Sequence, residues 1–353
     1  MRKLLISLLM VVLLPLALKA TALKELDYVG SSPDYMLYFD VDASVKYYNQ
    51  NGISNSDIKL LYGANGLNGL EEFLKDYGFS LFDVQDIAFF GNINPMNIQE
   101  MFTFSLILKL KNSKIILPPE ILKNYEDSQY GKIYFTNNRK EICITLLDNL
   151  AVIGDKKFID DYMKNRAAKK IVSSAAIKSL QKQINDKMLF GMLGLNDFTK
   201  TALKALIDSA DMRGLNKNVF LQSILATDSF EFSSFKDKKS FKTEFIIRSS
   251  TEEDAQRMLM IAHTVIVAAS FALSVVEEYL PEVSEFLYAD DDNYIIENFQ
   301  KKIADVKTNR NKKIVTIVSE STETEIKEEF DKLKERLSRI KKNKSDNDIE
   351  LDL

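Results

Sequence analysis

The run Met258–Val276 (MLMIAHTVIVAASFALSVV) constrains this chain more than any other stretch. About nineteen residues pass without a formal charge, close to the length that spans a bilayer. Arg257 bounds the run on one side and Glu277-Glu278 on the other. Gln256, His263, Ser270, Ser274 and Glu277 recur at helical spacings, which lines them along one stripe of a helix. One narrow polar stripe on an otherwise apolar surface predicts a buried core helix over 251–279 with one edge in water. The alternatives are a membrane segment, or a helix that turns its apolar face to a ligand or partner.

A second apolar run lies at the N-terminus and reads differently. Met1-Arg2-Lys3 is a short basic start, and Leu4–Leu18 (LLISLLMVVLLPLAL) is an apolar stretch of about fifteen residues. Ala20-Thr21-Ala22 follows as an A-x-A site. The three parts in this order predict an export signal over 1–22, with Ala20 and Ala22 as the signal-peptidase recognition residues. No Cys follows the apolar stretch, so a lipoprotein signal is not indicated. The predicted address is periplasmic or extracellular.

Composition narrows the function classes. The 353 residues are 46% hydrophobic and 28% charged, as in ordinary globular proteins. The 51 acids outnumber the 47 bases, and Arg2, Lys3 and Lys19 lie in or beside the leader, so the remainder is more acidic still. That balance argues against nucleic acid as a partner. One Cys excludes an internal disulfide, and one His argues against a multi-His metal site.

Hydrophobic patterning predicts an α+β chain. Strands are expected near Tyr35–Val41, Val84–Phe90, Phe102–Leu110, Lys132–Thr136, Glu141–Leu147 and Leu150–Ile153. Asp42 is placed as the cap of a helix over ASVKYY, Pro118-Pro119 opens a short helix to Tyr125, and Asp155 caps a helix through Arg166. Strands over Phe220–Phe232 and Phe241–Arg248, the capping sequence Thr251-x-x-Asp254, and a last helix over Thr324–Ile340 follow. The second half thus repeats the element order of the first. Asp34-Tyr-Met-Leu-Tyr-Phe is echoed by Asp186-Lys-Met-Leu-Phe-Gly, and the turn at Asn137–Lys140 by that at Asn309–Lys313. The prediction is an internal duplication: a first lobe over 23–170, a connecting helix over 171–185, and a second lobe over 186–342. Each lobe is a mainly antiparallel sheet packed with helices, and a disordered tail over 343–353 ends the chain.

No familiar catalytic constellation emerges. His263 sits in the polar stripe of the apolar helix, a structural place. Cys143 in ICITLL reads as a small buried hydrophobe. Asp290-Asp291-Asp292-Asn293 with Glu297 offers hard oxygen donors, yet lacks the D-x-D-x-D-G spacing of a calcium loop and reads as a solvated loop. Gly63, Gly66 and Gly69 are spaced G-x-x-G-x-x-G, without the Lys-Ser/Thr of a phosphate loop. Ser179-x-x-Lys182 matches a β-lactamase-type motif only by letter. The basic stretch Lys334–Lys344 suits a helix C-terminus. No cofactor and no metal are expected.

Aspartates about the first strand and helix, and Ser250-Thr-Glu252-Glu-Asp-Ala255 before the long helix, resemble bacterial exported proteins with a duplicated α+β unit. The resemblance implies architecture and address only. The expectation is a non-enzymatic binding or envelope-associated protein that takes a hydrophobic ligand or a protein partner. The alternatives are a hydrolase built on a carboxylate pair and a structural module tethered through 258–276. In a bacterial host, N-terminal sequencing of the exported protein should begin at Leu23. Replacing both Ala20 and Ala22 by Arg should leave the full-length precursor.

Overall fold

Alternation within YMLYFD makes the first strand, β1 (Tyr35–Asp40), in which Met36, Tyr38 and Asp40 are buried and their neighbours half-buried. The chain then turns directly into helix α1 (Val41–Gln50). The structure, a computed structural model, describes residues 24–30, 33–64, 73–93, 102–111, 117–135, 142–173, 175–184, 187–197, 199–201, 204, 217–237, 240–279 and 305–350. After α1 come α2 (Asn55–Ala64), β2 (Val84–Ile93), β3 (Phe102–Leu110), the single turn α3 (Pro119–Leu122) and β4 (Tyr125–Ser128). Then follow β5 (Gly131–Phe135), β6 (Cys143–Leu147), β7 (Leu150–Gly154), α4 (Lys156–Ala167), α5 (Ala175–Ile184) and β8 (Leu189–Gly194). The rest is α6 (Lys217–Leu225), β9 (Thr227–Asp237), β10 (Ser240–Ser249), α7 (Glu252–Tyr279), β11 (Lys307–Asn311), β12 (Ile314–Thr322) and α8 (Glu323–Glu350). The chain is α+β, as its patterning predicts.

Several boundaries differ from the sequence expectation, each for a local reason. The cap of α1 is Asp40, whose carboxylate accepts the Ala43 N–H at 2.8 Å. Starting the helix at Val41 buries Val41 and Val45 one turn apart. Asp42 falls in the first turn instead. Tyr125 opens β4 rather than closing a helix, because it pairs with Tyr134 across the hairpin. The stretch expected as a strand from Phe220 divides into α6 and β9, and the Thr227 hydroxyl donates to the Ser223 carbonyl at the break. Asn309 and Arg310 pair with Thr316 and Val315 inside the last hairpin, and its turn sits at Lys312, with φ of 52°. Asp155 caps α4 as expected, accepting the Phe158 N–H at 2.8 Å. Helix α8 continues to Glu350, beyond Asn343 where its apolar periodicity ends.

The chain divides into two compact units that interleave in sequence. The first comprises Met1–Gly191, Ser234–Phe241 and Ser321–Leu353, and the second Met192–Ser233 and Lys242–Glu320. In the first, the strands run in the order β8-β1-β2-β3-β7-β6-β5-β4. The pairings from β1 through β2, β3, β7, β6, β5 to β4 are all antiparallel. Successive side chains of β2 take opposite faces. On one, Ile87 and Phe89 join a core with Tyr47, Tyr48 and Phe330 of α1 and α8, where both tyrosine rings meet Phe330 edge-on at 5.3 and 5.7 Å. On the other, Phe90 meets Phe158 of α4 at 5.7 Å. The sheet is therefore the middle of three layers. A 3-10 turn at Lys24–Tyr28 is fastened to this second layer: Tyr162 donates to Glu25 at 2.7 Å, and Gln181 donates to Asp27 at 3.0 Å.

In the second unit the order is β11-β12-β10-β9. The first turns of α7 bury Ala255 and Met258 in a core with Ile247 and Val315. Removing the Phe330 ring should test how much α8 contributes to the first unit. Phe330→Ala should cost about 3–5 kcal/mol, read as a lowered urea midpoint with an unchanged m-value.

Candidate functional site

Antiparallel register brings charges together that the sequence keeps apart. Asp40 on β1 lies directly opposite Asp86 on β2, and Asp86 lies directly opposite Lys109 on β3. Opposed residues share a face, with their Cβ atoms about 5 Å apart. A row of Asp, Asp and Lys thus crosses three strands. A break in register between Val84 and Asp86 precedes it and sets Asp86, rather than Gln85, against Lys109. Asp86 is 1% exposed and Asp40 5% exposed.

Burial dominates the electrostatics. It pushes the Asp86 carboxyl up to about 7; Lys109 opposes the shift, and Asp40 and Asp42 add to it. Burial pushes Asp40 up to about 6, held back by the hydrogen bond from Ala43. The Tyr38 hydroxyl, on the same face, is raised by burial and by both carboxylates. Asp42 goes the other way. Burial raises it, but hydrogen bonds from Lys46 at 2.5 Å and Lys111 at 3.0 Å prevail and hold it below the usual carboxylate range. The Asp86 Oδ1 oxygen is buried and accepts no hydrogen bond among the described residues.

A hydrolytic pair needs room for a substrate between its carboxyls. Asp40 and Asp86 face one another, but both lie under the protein surface, and Asp40 already spends an oxygen on capping α1. This is a closed acid pair rather than an open cleft.

The second unit holds its own buried acid. Glu231 on β9 receives Arg248 of β10 through Nε at 2.5 Å and through a second nitrogen at 2.9 Å, so the contact is bidentate. Thr227, Ser229 and Ser233, at alternate positions of β9 with Glu231, are also buried. Beyond this sheet, α7 presents a mixed outer side. Gln256, Met260, His263 and Thr264 are exposed, with Met260 at 53%, while Ala255, Met258 and Ala262 are buried. His263 Nε2 meets the Thr308 hydroxyl of β11. It therefore has a structural partner, in keeping with its place in the polar stripe. The side chains of α7 from 267 onward lie outside the described residues, and with them Ser270, Ser274 and Glu277.

The remaining candidates are scattered. Cys143 is wholly buried in β6, and burial pushes its thiol up to about 11, so it is a poor nucleophile. Ser179 and Lys182 lie on α5. Gly63 lies in α2, and Gly66 and Gly69 lie outside the described residues, as do Ala20, Ala22, the Asp290–Asp292 cluster and Glu297. Within the basic stretch, Lys334 pairs with Asp331 at 3.1 Å, and Lys341 with Asp57 at 2.5 Å. Among the described residues no three His, Cys, Asp or Glu come together as metal ligands. Among them, too, no helix is long and apolar enough to cross a membrane. Asp86, Lys109, Glu231 and Arg248 were not legible as site residues. The one local signal was an acid at a buried-parity position within an apolar strand.

The fold defines an α+β protein of two units. No protein-family model matches the chain, and no curated protein matches it. Among solved structures, crystal form I of TP0453 aligns with a TM-score of 0.37 and 8% identity, over 87% of this chain and 96% of that one. Crystal form III aligns at 0.34 and 11% identity, over 86% and 96% of the two chains. Form IV aligns at 0.35 and 10% identity, over 86% and 94%. Scores this low carry no inference about activity.

Arg248→Met strands the Glu231 carboxylate and should cost about 3–5 kcal/mol. Adding Glu231→Met should recover most of that loss. Urea melting of the two variants checks both values.

Proposed function

We propose that the chain is an exported, non-enzymatic binding protein of the envelope, and that α7 is its docking element. The observation that carries this reading is the division of α7 into two sides. Ala255, Met258 and Ala262 are committed to the protein interior, while Met260 stands 53% exposed beside His263 and Thr264. The uncharged run continues to Val276. An exposed methionine within an uncharged run offers a contact point to an apolar ligand or partner segment. The closed state of the Asp40–Asp86 pair weighs against the hydrolase alternative.

The reading includes the duplication. The strand order β1-β2-β3-β7-β6 has a counterpart in β8-β9-β10-β12-β11. In each series three strands are followed by a helix, and a hairpin then leads into a closing helix, with the additional hairpin β4-β5 inserted in the first series. On this view α3, one turn long, corresponds to α7, at 28 residues, and the growth of that helix is where the second copy acquired its binding role. The lobes 23–170 and 186–342, joined through 171–185, are the proposed evolutionary halves.

The test is native mass spectrometry of the exported protein, together with alkaline washing of membranes from the producing cells. A protein released by the wash that carries a small apolar adduct lost on denaturation supports the ligand reading. A bare polypeptide mass from a soluble fraction would overturn it. Retention after the wash would favour the membrane-tethered alternative.

A further inference from the structure

We propose that Asp40 and Asp86 bind one proton between them, and that loss of this proton loosens the start of α1. The inference rests first on geometry. The two acids are direct cross-strand partners on one face of the sheet, and both are buried. Two carboxylates in such a place cannot both carry charge cheaply, because neither can be screened by water. Asp86 Oδ1 is left without a hydrogen bond among the described residues. A proton between the carboxyls would satisfy it.

Asp40 links the pair to the backbone. Its carboxylate holds the Ala43 N–H at 2.8 Å, and the Ser44 hydroxyl donates to its carbonyl at 2.7 Å. Any force that turns the Asp40 carboxylate away from Asp86 acts on the cap of α1. The charged and titratable groups acting on the pair are Tyr38 on β1, Asp42 and Lys46 on α1, and Lys109 on β3. Lys46 is engaged by Asp42, as is Lys111 after β3. Toward β8, Lys187 lies over the Phe235 ring at 3.2 Å. Lys109 is therefore the cation placed to compete with the proton, and it lies beside Asp86 alone in the row.

The sign follows from the raised carboxyls. The folded chain keeps a proton that the unfolded chain has released by about pH 4. Stability from this source is fully present below about pH 4 and is lost as pH rises toward about 7, where Asp86 ionises. This is opposite to a salt-bridged acid such as Asp42 or Asp57, whose contribution is lost as pH falls below the usual carboxylate range.

The experiment is amide hydrogen exchange of the full chain, read at the peptide covering Tyr38–Tyr48 between pH 5 and 8 and corrected for the intrinsic rate. Protection of the first turn of α1 should fall at least tenfold over this range, and Asp86→Asn should abolish the fall. Constant protection in the unaltered chain, or the same fall in Asp86→Asn, would overturn the proposal. Should the Asn variant fail to fold, carboxyl-carbon NMR titration of the unaltered chain decides the matter. One of the two aspartates titrating above pH 6 supports a shared proton, and both titrating below pH 5 excludes it.

Discussion

Asp40 is the residue on which the first unit turns. It is the last residue of β1, the cap of α1, the cross-strand partner of Asp86, and the donor of a backbone N–H to Met188 beside β8. A strand that ends by capping a helix leaves no loop between them, so the angle of α1 on the sheet is constrained at Asp40 and fixed by the packing of its buried residues. That angle brings Tyr47 and Tyr48 against Phe330, and through them positions α8. The outer layer of the unit is thus registered by a polar contact at its inner edge. The apolar core supplies the cohesion, and the cap supplies the direction.

How much of this was legible follows from the range of each signal. Asp155 and the helix it caps were readable because cap and helix are adjacent in sequence, and strand β3 because its apolar run is bounded on both sides. The cap of α1 is Asp40, whereas the sequence places it at Asp42. Both are aspartates before an apolar-periodic stretch, and only the burial of Val41 decides between them. Asp86 could not be paired with Asp40 from sequence, since a one-residue slip would place it on the other face, and the break in register near Val84 is invisible to alternation. The split between α6 and β9 was missed because VFLQSIL suits either period over so few residues.

Helix α7 shows why composition misleads when it is averaged. Its first turns behave as a core helix should, with acids at Glu252, Glu253 and Asp254 at the positive end of the helix and Arg257 tied back to Glu253 and Asp254 at 2.5 and 3.1 Å. The charged start anchors the helix at its N-terminus, and the uncharged run that follows mixes apolar residues with His263 and Thr264. Met260 marks the point at which that run first reaches the surface.

The two units solve one problem in two ways. An acid inside a sheet must be neutralised, because an isolated buried carboxylate costs far more than the fold can spare. Glu231 is neutralised by Arg248, a guanidinium that stays charged at every physiological pH and meets both carboxylate oxygens. Asp86 has only Lys109 beside it in the row and a second acid on its other side, so a proton is the counter-charge best suited to the space. An exchangeable counter-charge makes the first unit responsive to pH, while in the second the counter-charge of Glu231 is the Arg248 side chain itself.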